Sequence, residues 1–182
     1  MLPDPLHPAV VHFPLALSVL LPLAAAAALL AIRLGAPGRR TWAAVLALSA
    51  LLSASAWFAT ETGEDQEGIV ETVVARDLIH EHEEAGERLF QASLAVLLVV
   101  AFGMAPARFA RGARIAGLVA AAALVAFAVR AGHTGGELVY RHGAARAYVA
   151  NAQRSMPESR SADGLATPVT GGRAAPAASP GQ

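Results

Sequence analysis

From Ala9 to Ile32 the chain holds no Asp, Glu, Lys or Arg. Spanning a hydrocarbon core takes roughly 20 apolar residues in a helix, and this run is long enough. In lipid every backbone N–H and C=O must find its partner within the segment or its bundle, which restricts such a run to helix. Composition agrees: 55% of residues are hydrophobic, 15% are charged and mean hydropathy is +0.47. A secretory signal peptide is the competing reading. It fits poorly, because no basic residue precedes the run and the run exceeds the roughly 7–15 residues of a signal core.

Three further spans are expected. The first, over about 9–32, carries Pro14 in its opening turn and Pro22 midway, where a kink is expected. Arg33, Arg39 and Arg40 follow in a Gly/Pro turn, and a second span covers about 41–60. In the acidic stretch that follows, Ile69, Val70, Val73, Val74 and Leu78 recur near a 3.6-residue period. It reads as an amphipathic interfacial helix or as an extension of the next span. The third span, about 83–104, reaches full length only if its helix begins near His82 or Glu83. The fourth covers about 113–131 and ends at Gly132-His133-Thr134-Gly135-Gly136. From Ala144 the chain drifts into Ala, Pro, Ser and Gly without periodicity, the composition of a disordered tail. The expected fold is therefore an all-α, four-span bundle over residues 1–143, followed by a tail over 144–182.

Charge sets the expected orientation. The turns after the first and third spans carry six arginines (Arg33, Arg39, Arg40, Arg108, Arg111 and Arg114) and no acid. By the positive-inside rule these turns face the cytoplasm. Both termini then lie on the outer side of a cell inner membrane, which for a bacterium is periplasmic. Formal net charge is zero, which gives no electrostatic footprint for nucleic acid. The chain has no cysteine, which excludes disulfides, thiolate metal sites and c-type haem attachment.

Under this topology all six histidines fall on the outer side. His7 and His12 enter the first span, His80 and His82 enter the third, and His133 and His142 leave the fourth. Glu61, Glu64 and Glu137 stand at the same level. Ionisable groups at membrane depth are costly and tend to mark functional sites. Two neutral imidazoles from two helices are what b-type haem requires in a bundle. His7, His12, His82, His133 and His142 are the candidate ligands, with Arg130 and Arg141 as candidate partners for propionates. The alternative is a zinc, copper or iron ion held by His12, His82, His133, Glu137 and His142. Spacing does not single out a metal. His80-Glu81-His82-Glu83-Glu84 is not HExxH, since position 84 is Glu. On a helix His80 and His82 point about 200° apart. A plainer alternative keeps these residues as interfacial anchors of a cofactor-free structural or ion-handling subunit. No GxSxG elbow or phosphate-binding glycine loop is present, so an enzyme is not indicated. The serines within the spans are explained by helix packing, and the Ala/Gly-rich spans permit self-association.

Three segments carry a resemblance. His7-Pro8 with His12-Phe13-Pro14-Leu15-Ala16-Leu17 opens it, and His82 followed by Gly86 continues it. Gly135-Gly136-Glu137-Leu138-Val139-Tyr140-Arg141-His142-Gly143 closes it. In these the chain resembles a family of bacterial four-span membrane proteins designated domain of unknown function 2231, over about Leu6 to Gly143. Past Gly143 the family continues with small and apolar residues, and Ala144-Ala145-Arg146 departs from this only mildly. The resemblance implies a four-helix membrane domain whose motif residues meet at one face. The functional expectation is an electron-transfer or redox-accessory subunit that binds haem b or a metal ion, with the lipid bilayer and a redox protein as partners.

Overall fold

The computed structural model describes residues 5–155. Seven helices follow in order: α1 (His7–Val10), α2 (His12–Arg33), α3 (Gly38–Glu64), α4 (Glu67–Val70), α5 (Arg76–Phe102), α6 (Ala107–Tyr140) and α7 (Ala145–Ser155). There is no strand among the described residues. Four segments are long and apolar enough to cross a membrane: His7–Arg33, Gly38–Glu64, Arg76–Phe102 and Arg108–Tyr140. Large apolar side chains such as Leu23, Leu98, Val119 and Val129 face outward, where lipid rather than protein receives them.

The helices exceed the expected spans mainly at the histidine end. α5 starts at Arg76, well before His82, and α6 runs through the glycine-rich segment to Tyr140. Glycine lowers helix propensity but does not forbid helix where packing supplies the stabilisation. α2 continues through Pro22. The acidic segment is two pieces rather than one helix. α4 ends at Val70, and after a turn α5 begins with Ala75 in extended conformation as its cap. Its apolar face is real. Val74 and Ile79 are buried with Leu138 and Ala144, and Val70 and Leu78 pack on them.

The tail departs from expectation at its start, because Ala145–Ser155 is helical. Ala144 and Ala147 are buried, and the Tyr148 hydroxyl donates to Gln66 Oε1 at 2.8 Å, which ties α7 to the α4 segment. The remainder of the expected tail lies outside the described residues.

The four long helices form a ring: α2 packs on α3 and α6, and α5 packs on the same two. Short turns join α2 to α3 and α5 to α6 as antiparallel hairpins. The two hairpins repeat each other. In α1–α2 the residues Val10, Pro14, Ser18, Leu21 and Ala25 are buried. In α5 Ala85, Leu89, Ser93, Val96 and Val100 are buried, each 75 positions later. In α3 Trp42, Val45, Ser49, Leu52, Ala56, Ala59 and Thr62 are buried, with Ser53 beside them. In α6 Arg114, Gly117, Ala121, Leu124, Ala128, Ala131 and Thr134 are buried, each 72 positions after its match in the first seven, with Ala110 and Leu138 buried beyond them. The arrangement is that of two parallel hairpin repeats about an axis along the bundle, a recurrent plan in membrane proteins.

Small residues let the helices approach, and the polar ones on the buried faces are mostly satisfied within their own helix. Ser18 donates to the Pro14 carbonyl at 2.7 Å, Ser53 to Ser49 at 3.2 Å and Ser93 to Phe90 at 2.6 Å. At the arginine end, fully buried Trp42 donates from Nε1 to the Val100 carbonyl at 2.9 Å. It fits because Gly103 and Gly117 present no side chain against its indole.

Candidate functional site

His7 and His82 are brought together at the end of the bundle opposite the arginines. Both are half-buried. Their ring centroids are 6.0 Å apart with the planes at 76°. They are equivalent residues of the two hairpins, standing 75 positions apart at the head of matching buried stripes.

Each imidazole is oriented by the second helix of a hairpin. His7 Nδ1 lies 2.9 Å from the Ala59 carbonyl and 3.4 Å from Thr62 Oγ1, both on α3. A carbonyl only accepts, so Nδ1 carries the proton and Nε2 is left with its lone pair. His82 Nδ1 lies 3.0 Å from Thr134 Oγ1 on α6. The Thr134 hydroxyl donates within its own helix, to Ala131 at 3.1 Å or Arg130 at 3.3 Å, so its oxygen accepts from His82. The Ala131 carbonyl adjoins the same ring. The repeat therefore extends to the supporting residues: Ala59, Thr62 and Gly63 on α3 match Ala131, Thr134 and Gly135 on α6. The two glycines admit the rings. A Cβ on Gly63 would lie 3.2 Å from His7 Cε1, and one on Gly135 would lie 2.9 Å from His82 Cε1.

The other candidates stand apart from this pair. His12 is exposed on α2 and His142 is exposed after α6. His133, also exposed, faces Glu137 one turn on at 3.8 Å, and Glu137 is held in turn by Arg141. Arg130 reaches Glu81 at 3.2 Å across the α5–α6 surface. His80 points away from His82, as the helical geometry required, and lies 3.6 Å from Glu83 and 3.5 Å from Glu84. Glu61 and Glu64 are exposed. Two open depressions flank this end, one lined by Glu67, Arg76, Asp77, His80 and Glu83. The other is lined by Gly132, His133, Gly136, Glu137, Tyr140 and Arg141. Among the described residues no three His, Asp or Glu side chains gather so as to hold a metal ion.

Thr62, Thr134, Gly63 and Gly135 are the site residues that reading the sequence missed. The signal was there, as Ala-x-x-Thr-Gly at 59–63 and again at 131–135. It is inconspicuous because small residues and threonine are common in membrane helices for packing reasons alone.

Compared with known proteins, the chain matches a family model described as a predicted membrane protein, DUF2231, over residues 3–147. No curated protein and no solved structure matches it. The match covers all four spanning helices, the histidine pair and both Thr-Gly supports, and the chain belongs to the DUF2231 family of membrane proteins.

Proposed function

We propose that His7 and His82 hold one metal centre at the end of the bundle and that the protein serves as an electron-transfer or redox-accessory subunit of the membrane. The observation that carries this reading is the pair of half-buried imidazoles with both Nδ1 atoms engaged and both Nε2 atoms left as donors. Metal-ligating histidines characteristically give their other ring nitrogen to a carbonyl or similar acceptor, which fixes tautomer and orientation. With metal–nitrogen bonds of about 2.0–2.1 Å, two imidazoles on one centre have ring centroids roughly 5–6.5 Å apart, depending on the angle between them. The observed 6.0 Å is in that range.

Haem b is the favoured group, since two neutral imidazoles from two helices of a bundle are its usual protein ligands. Bound there it supplies one-electron chemistry. The chain's own contribution is to hold each ring through Ala59 and Thr134 and to keep Gly63 and Gly135 flush against the imidazoles. A bare zinc, copper or iron ion is the second reading, favoured by the same donor chemistry, and it needs water or another donor to complete its coordination.

The test is an absorption spectrum of detergent-purified protein, oxidised and dithionite-reduced, with metal analysis on the same sample. A Soret band that sharpens on reduction, with resolved α and β bands, is the expected result. A featureless spectrum with stoichiometric metal transfers the site to the ion. Neither signal, from cells supplied with haem and metals, overturns the metal-centre reading in favour of a cofactor-free subunit.

We also propose an inner-membrane location with the histidine pair and both termini on the periplasmic side, on the strength of the six arginines at the other end. The absence of cysteine makes this directly measurable. An Asp65→Cys variant in intact spheroplasts is expected to react with an impermeant maleimide, and an Ala36→Cys variant only after lysis. The opposite pattern reverses the orientation.

A further inference from the structure

The arginine-rich end of the bundle holds a largely buried arginine with no counter-ion among the described residues. Arg114 is only 9% exposed. Its Nε donates to the Gly103 carbonyl at 3.0 Å and its guanidinium lies 5.9 Å from the Trp42 ring. Its Nη atoms have no hydrogen-bond or ion-pair partner among the described residues. They are aimed at the first residue of α3, where a Cβ on Gly38 would lie 2.8 Å from Nη1. That helix start carries no side-chain cap. Its unpaired N–H groups amount to about half a positive charge. A buried cation set against a like-signed helix terminus is unfavourable, since buried charges are normally paired.

Among the described residues no carboxylate supplies the pairing. The segments joining α2 to α3 and α5 to α6 contain no Asp or Glu, and the ion pairs of the described residues all lie toward the histidine end. Exposed Arg39, Arg40, Arg108 and Arg111 surround the spot with more positive charge. Exposed Leu34 and Phe109 stand in the same two turns and offer apolar surface beside them.

We infer that the Nη atoms of Arg114 and the uncapped start of α3 bind the phosphate of an anionic phospholipid headgroup from the leaflet at this end. Guanidinium nitrogens and helix-terminal N–H groups are both phosphate donors. Basic pockets between membrane helices take such headgroups. A lipid brings the anion together with acyl chains for the adjacent apolar side chains, which free phosphate does not.

The test compares thermal unfolding of the full chain in nanodiscs of phosphatidylcholine with and without phosphatidylglycerol. The wild type is expected to melt several degrees higher with phosphatidylglycerol. Arg114→Gln is expected to lose that gain, whereas Arg111→Gln keeps most of it. Gly38→Asp places a carboxylate beside Arg114, so it is expected to melt no lower than wild type in phosphatidylcholine and to respond little to phosphatidylglycerol. If Arg114→Gln does not fold, the wild-type and Gly38→Asp comparisons decide alone. Equal melting of the wild type in both discs, or a full response in Arg114→Gln or Gly38→Asp, overturns the proposal. Inorganic phosphate that raises the midpoint as much in phosphatidylcholine discs overturns the lipid assignment.

Discussion

Replacing Gly103 with valine is expected to cost most of the fold's stability. A Cβ at this position would lie 2.1 Å from Trp42 Nε1, 2.7 Å from Cε2 and 2.8 Å from Cδ1. The indole is wholly buried and has little room to retreat, since Gly117 lies close against its six-membered ring. The substitution must therefore expel Trp42 and leave its N–H without the Val100 carbonyl. Overpacking costs about 1–3 kcal/mol, and an orphaned buried donor about 1–3 kcal/mol more. At roughly 2–4 °C per kcal/mol for a chain of this size, the melting midpoint in detergent falls by roughly 10 °C. Gly103 has φ −64°, an ordinary value, so the effect is steric and not a matter of backbone freedom. Gly112 is the internal control, because a Cβ added there would meet nothing within 4 Å. Gly112→Ala is expected to melt within about a degree of wild type. Equal midpoints for Gly103→Val and wild type would show that Trp42 is not packed as described.

The largest functional effect is expected from the histidine pair. On the metal-centre proposal, His7→Ala and His82→Ala each remove one of its two donors, and either is expected to abolish the proposed centre in the spectrum or metal analysis. His12→Ala, His133→Ala and His142→Ala should leave it intact, because those side chains point to the surface. Thr134→Val keeps the shape of the threonine and removes the oxygen that accepts from His82 Nδ1. Removing an outer partner of this kind typically lowers affinity about 10–100-fold, so titration rather than a single spectrum is the right readout. A centre that survives loss of His7 but not of His12 would move the site to the lipid-facing side of α2.

The contrast between His7 and His12 shows where the sequence is legible and where it is not. The four spans are written in hydropathy, a property of each segment alone, and they emerge with their order and number. Which histidine faces inward is a property of packing. Five residues along a helix turn it by about 140°, so His7 and His12 cannot both face the axis, and neither hydropathy nor the motif around them chooses. The choice is readable only from the stripe each belongs to. His7 heads the sequence Val10, Pro14, Ser18, Leu21, Ala25, and His82 heads Ala85, Leu89, Ser93, Val96, Val100, with the same alternation of three- and four-residue steps. Residue identities in the two stripes differ enough to hide the match, Pro14 answering to Leu89 and Ala25 to Val100. The helical start of the tail was equally hidden, because α7 is stabilised through Ala147 and Tyr148 by a segment far earlier in the chain, and Tyr148 pairs with Gln66 at a separation of 82.

Fusing the two hairpins in one polypeptide has a consequence at the arginine end. Two identical hairpins associating as separate chains would set the same residue against itself wherever they met on the axis. The histidine end still looks like that, imidazole facing imidazole with Thr-Gly behind each. At the other end the matching positions differ, holding Trp42 and Arg114, and the guanidinium lies against the indole. A self-paired version would have had either two buried cations repelling each other or two bulky rings competing for one space. Halves that differ in sequence can hold an aromatic face opposite a cation there, so one pole of the bundle has the symmetry of a homodimer and the other that of a heterodimer.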